Sequence, residues 1–206
     1  MKNIVYTKIY NEPKVNKREI LRYLGCDIND KRTLGMLDDC IDEIGGELTY
    51  KVCYSRFPIF RDGDLIDLGF AKTTSHSLGI CLNECDEIIL FCATIGHRID
   101  RVIEKYSISS PSRATIIQAI GSERVEALCD EFCADVSEAE AAFDREIRPR
   151  FSPGYGDLSL ELQRDIFASL DPTAKIGISL NDSLFMRPSK SVSAIIGIKK
   201  EQKNEP

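Results

Sequence analysis

No stretch of this sequence stays apolar for long enough to cross a bilayer. The longest runs, such as IILFCA at residues 88–93, fall far short of the roughly 20 residues that a spanning helix needs. The opening MKNIVYTKIY does not read as a secretory leader, because Lys, Asn and Thr interrupt its apolar residues. Excess positive charge is missing as well: the net charge is −6 and the pI about 5.1. Wholesale nucleic-acid binding is disfavoured on that ground. Together these absences predict a cytoplasmic protein with neither membrane nor nucleic acid as a partner. Repeats, low-complexity tracts and linkers are absent too. Residues 1–206, 43% hydrophobic and 29% charged, are therefore expected to form one domain with a substantial core.

Histidine is scarce, with only His76 and His97, and no Cys-x-x-Cys occurs, so the usual zinc spacings are lacking. The eight cysteines, at 26, 40, 53, 81, 85, 92, 129 and 133, are scattered and lie mostly in apolar segments. Cys81/Cys85 and Cys129/Cys133 are i, i+4 pairs that could share a helix face with a metal. The alternative is reduced thiols acting as small core side chains, and the expectation is no metal site.

What is present reads as alternating short strands and grouped helices. IVYTKIY suits a strand. VNKREILRYLG suits a helix capped by Asn16 and stopped by Gly25. NDKRTLGMLDDCIDEIGG predicts a second helix, with Leu34, Leu37, Ile41 and Ile44 on one face. LTYKVCYSRFPIF and DLIDLGF are strands joined through the turn RDGD. SHSLGICLNEC reads as a helix leading into EIILFCATIG, an apolar run that suits a buried central strand. A long helix is expected from about 112 to 143, bent or interrupted at Gly121. LSLELQRDIFASL is a short helix, and KIGISL and SVSAIIGI read as closing strands around NDSLFMRPSK. The fold class is α+β: a largely antiparallel mixed sheet flanked by helices, one of them long.

Between the long helix and the short one lies RPRFSPGYGD, residues 148–157. Pro149 and Pro153 stiffen this loop, while Gly154 and Gly156 permit positive φ or close backbone approach. Arg150 brings planar, bidentate chemistry suited to a carboxylate. Tyr155 offers a ring face for a heterocycle or cation, and a hydroxyl. These groups suit a zwitterion with a carboxylate, a cationic centre and a flat heterocycle, a description that S-adenosylmethionine meets. The plainer alternative is a connector with a surface arginine. No G-x-G-x-x-G follows a strand, so the doubly wound methyltransferase fold gains no support.

The ordered segments RPRFSPGYGD, LQRDIFASL and KIGISLNDSLFMRPSKSVSAIIGI resemble the activation domain of cobalamin-dependent methionine synthase. That family carries R-x-x-x-G-Y, a helix, then M-x-P-x-x-S-x-S, matched here by Arg150, Gly154, Tyr155, Met186, Pro188, Ser191 and Ser193. EIILFCATIGHRIDR and ATIIQAIGSERVEALCDEF resemble the family's strand and long helix. The resemblance is clearest over residues 60–198 and suggests a standalone version of the domain. It implies that Arg150 contacts the S-adenosylmethionine carboxylate, with Gly154 and Tyr155 beside it. Glu126 falls at the place of a ligand-associated helix glutamate; a solvated helix glutamate is the other reading. Gly156 replaces the family's usual proline. The final IKKEQKNEP lacks the extended form's further tyrosine, and an N-terminal aspartate contact has no counterpart. Thr94, Gly96 and His97 follow the buried strand and could line a cleft, although an exposed histidine at a helix start is the favoured reading of His97.

The function that the resemblance implies is repair. A cobalamin-dependent methionine synthase lacking its own activation domain would be the partner. A low-potential donor such as flavodoxin or ferredoxin would reduce its stalled cob(II)alamin, and S-adenosylmethionine would methylate the cobalt. Cobalt is then the nucleophile, so no catalytic residue is expected in an accessory subunit whose work is orientation. No cobalamin-binding D-x-H-x-x-G segment occurs, so the cobalamin is carried by the partner. Two alternatives stay open: a non-catalytic docking protein of the same fold, or a reactivation factor for another corrinoid methyltransferase.

Overall fold

The computed structural model describes residues 3–26 and 30–200; residues 201–206, the greater part of the IKKEQKNEP tail, lie outside them. The first helices begin and end for local reasons. In chain order, strand β1 (Tyr6–Tyr10) precedes helix α1 (Lys17–Leu24), where the Asn16 side chain accepts from the Glu19 N–H. Gly25 ends α1 at φ 63°, returning its N–H to Arg22. Asp30 opens α2 (Lys31–Ile44) by accepting from the Arg32 and Thr33 amides.

After β2 (Tyr50–Pro58), the hairpin β3 (Phe60–Asp62) and β4 (Leu65–Asp67) joins β5 (Lys72–Thr73) in a separate three-stranded sheet. Helix α3 (His76–Cys81) leads into β6 (Glu87–Thr94), followed by α4 (Arg98–Ser109) and the long α5 (Pro111–Ala141). Then come β7 (Arg145–Ile147), α6 (Leu162–Leu170), α7 (Pro172–Ile176), the two-stranded pair β8 (Ser179–Leu180) and β9 (Met186–Arg187), and β10 (Ser191–Lys200).

The main sheet has the order β1-β2-β6-β10-β7, and every neighbouring pair is antiparallel. Period-2 alternation explains the continuous apolar run in β6. Ile89, Phe91 and Ala93 face the core under α1, α2, α4 and α5. Ile88, Leu90 and Cys92 face the second core under α3, α6 and the small sheet. Strand β10 repeats this pattern, with Ala194 and Ile196 on the first face and Ile195 on the second. The architecture is the expected α+β domain with one long helix. Cys40, Cys53, Cys85, Cys92 and Cys129 are buried among apolar side chains, while Cys26 is exposed.

Two local expectations need correction. Gly121 does not interrupt α5, which runs on through it. Its missing side chain serves packing: a Cβ there would come within 2.8 Å of Ile99 Cγ1 and 2.9 Å of Lys190 Cγ. KIGISL is not one strand, because residues up to Ile176 close helix α7 and only Ser179–Leu180 are extended. Gly177, at φ 79°, makes that break. Directly after His97 the chain forms α4, and Ser110 separates it from α5, which opens on Pro111.

Gly121→Ala tests this packing. Alanine is the better helix former by about 1 kcal/mol. The overlap with Ile99 and Lys190 should nonetheless make the variant less stable by about 1–3 kcal/mol in urea unfolding. A stabilised variant would show that Gly121 is not packed as described.

Candidate functional site

Strand β10 organises the site because it is longer than its neighbour on one side. Strand β7 pairs only with Ile198, Lys199 and Lys200. The chain stays beside β10 through Arg148, whose N–H donates to the Gly197 carbonyl, and through Phe151, which exchanges two 2.9 Å hydrogen bonds with Ile195. Beyond Phe151 the loop leaves the strand. Antiparallel alternation turns the backbone of Ser193, two residues from Ile195, toward the same open side.

A cavity of about 440 Å3 lies at that open edge. Its lining brings together Glu126 of α5, Arg150, Phe151 and Tyr155 of the loop, and Gln163 of α6. Met186, Ser191 and Ser193 complete it, so both sequence motifs meet in one cleft. A second cavity of about 870 Å3 shares Gln163, Met186 and Ser191 with it and extends to His97 and Asp100. A third cavity, of about 950 Å3, uses Arg148 and Pro149 with Arg61 and Cys81, and holds none of the expected site residues. Chemistry and not size therefore selects the candidate site.

Arg150 is three-quarters buried and spans two carboxylates one helical turn apart. Its Nη2 lies 2.5 Å from Glu126 Oε2 and its Nη1 lies 2.6 Å from Asp130 Oδ1. Burial works against the guanidinium charge, but the hydrogen bonds to Asp130 and Glu126 outweigh it and raise the pKa. Two carboxylates against one arginine leave an excess negative charge, which suits a ligand with a cationic centre.

The other expected residues are placed as follows. Gly154 sits at φ 90°, in the region favouring glycine, and its N–H donates to the Leu158 carbonyl at 2.8 Å. Tyr155 borders the cavity with its side chain largely exposed. Thr94 is buried, and His97 lines the second cavity. The motif serines brace the walls: Ser191 Oγ donates to Thr94 Oγ1 at 2.9 Å, and Ser193 Oγ donates to Gln163 Oε1 at 3.1 Å. Among the described residues, no group of three or more His, Cys, Asp or Glu side chains converges to hold a metal.

Sequence reasoning passed over Asp130, Gln163 and Asp157. Asp130 carried a signal, its i, i+4 spacing from Glu126. Gln163 carried none, because only the fold makes it buried. Asp157 closes the loop by accepting from Ser75 Oγ at 2.6 Å, His76 N at 2.7 Å and Ser77 N at 3.0 Å. Those bonds, the one from Ser75 first, hold its carboxyl well below the usual range. Gly156, at φ 55° and against Ser77, explains the departure from proline, whose ring fixes φ near −65°.

Residues 80–204 match the sequence model of the family described as vitamin B12 dependent methionine synthase, activation domain. The match begins later than the residue 60 suggested by the motifs. No curated protein gives a significant sequence match. Among solved structures, the crystal structure of the MetH reactivation domain bound to AdoHcy is similar, with a TM-score of 0.69 at 15% identity. The similarity covers 100% of this chain and 81% of that one, and at this identity it speaks for the fold.

Asp157 gives a pH-dependent expectation. Its lowered pKa means that its contribution is complete above the unfolded value of about 3.9 and fades as pH falls below it. Asp157→Asn should thus lower stability at pH 7, with the gap from the parent narrowing by pH 3 in denaturant titrations. An equal gap at both pH values would contradict the cap.

Proposed function

The chain belongs to the family of vitamin B12-dependent methionine synthase activation domains, and on that premise we propose that it binds S-adenosylmethionine in the cleft between Glu126, Arg150 and Tyr155. The observation that carries this reading is the convergence of both motifs on one cavity at the open edge of β10. Its volume of about 440 Å3 falls within the roughly 300–1,000 Å3 usual for small-molecule sites. The donor set fits the ligand's amino-acid end. The Arg150 fork serves the α-carboxylate, and Glu126 accepts from the α-ammonium.

When bound, S-adenosylmethionine supplies an electrophilic methyl group on its sulfonium. The chain's residues bind and orient it. Arg150 and Glu126 fix the amino-acid end, and the exposed Tyr155 ring offers its face to the sulfonium or adenine. Gly154 keeps the backbone between them free of a side chain. The substrate of the reaction is cob(II)alamin on a partner methionine synthase. A low-potential donor provides one electron, and the methyl group passes to cobalt, leaving S-adenosylhomocysteine. The protein contributes proximity, which alone can lower such a barrier substantially.

Calorimetric titration with S-adenosylmethionine tests the site. Arg150→Ala should lose on the order of 1.5–3 kcal/mol of binding, and Arg150→Lys should recover part of it. Equal affinity in parent and variant removes Arg150 from the site. With a cognate synthase poised as cob(II)alamin, an electron donor and S-adenosylmethionine, methylcobalamin should form only when this protein is added. Equal reactivation without it refutes the function, and reactivation of a different corrinoid protein alone would select that partner instead.

A further inference from the structure

Arg150 is the group best suited to a ligand carboxylate, yet both of its terminal nitrogens are already engaged by carboxylates of α5. An incoming carboxylate therefore competes with them for the terminal N–H groups of the fork. The two differ in surroundings. The Glu126 side chain is 41% exposed and lines the cavity, whereas that of Asp130 is 69% exposed and lies beyond the lining.

Releasing Asp130 is the easier exchange, because its carboxylate returns to water, and an exposed ion pair contributes little to stability. Releasing Glu126 would remove the acceptor for an ammonium from the cavity wall. We propose that Asp130 is a placeholder for the ligand's α-carboxylate. It holds Arg150 extended toward the cleft in the empty protein and yields its nitrogen when an amino-acid carboxylate enters.

The exchange has two consequences. Arg150 stays preorganised, since its fork is never without an acceptor, and its partly buried charge is never left unpaired. Selectivity also follows: a ligand without a carboxylate has nothing to offer in return for Asp130. The site would thus favour intact amino-acid nucleosides over their shortened relatives. This inference rests on the proposed S-adenosyl site and assigns to it a residue outside the family motif.

The test uses the full chain and two probes in calorimetric titrations. S-Adenosylhomocysteine carries the amino-acid end, and 5′-methylthioadenosine lacks it. Asp130→Asn removes the competing charge and should tighten S-adenosylhomocysteine by about three- to fivefold, the scale of one exposed ion pair. It should leave 5′-methylthioadenosine unchanged. The gain should shrink in high salt, where exposed charges are screened. Asp130→Ala, with no side-chain acceptor, should behave in the same way, and thermal melts of both variants would show them folded. Weaker S-adenosylhomocysteine binding in both variants would overturn the proposal and make Asp130 a support that Arg150 needs. Equal gains for both probes would also overturn it, since the effect would not involve a carboxylate. If the parent binds neither probe, the proposed function fails and this inference falls with it.

Discussion

The pairing of β10 with β6 on one side, and with β7 and Phe151 on the other, is the constraint on which the site depends. The loop with Arg150 and Tyr155, helix α6 and the 186–193 motif are separate along the chain; the sheet brings them to one edge. Six residues lie between Tyr155 and Leu162, and fifteen between Leu170 and Met186. Neither interval would place the segments together without β10. The loop follows the strand as far as Phe151, and the cleft is the space left where it departs.

Helix α5 supplies the opposite wall, and a buried ion pair fixes how it lies. Arg124 and Glu123 are almost wholly buried. Arg124 donates to the Pro13 carbonyl at 2.5 Å and to the Lys14 carbonyl at 2.9 Å, while Glu123 accepts from the Asn16 N–H at 3.0 Å. Removing either partner would leave a buried charge uncompensated, which is costly. The pair locks the chain before α1 onto α5. Glu126 and Asp130 then follow on the partly exposed side of the same helix, facing Arg150.

Much of this was legible in the sequence. The caps of α1, the helix α2, the buried strand β6 and the long helix all follow from local patterns of apolar, capping and glycine residues. Arg150, Tyr155 and Glu126 were singled out by their chemistry and by a family resemblance. What was hidden depended on tertiary contact. Gly121 has the intrinsic preference of a helix breaker, and only the proximity of Ile99 and Lys190 explains it. Gln163 sits in an ordinary amphipathic helix until β10 places Ser193 against it. The engagement of Arg150 by Asp130 required the loop and helix to be seen side by side.

Hydrogen–deuterium exchange with and without S-adenosylhomocysteine tests most directly that the loop and the β10 edge form one ligand site. Ligand should slow amide exchange in residues 150–156 and 190–193 together. Protection confined to residues 61–81, which border the cavity beside Arg148, or protection of the loop without the β10 edge, would contradict the account.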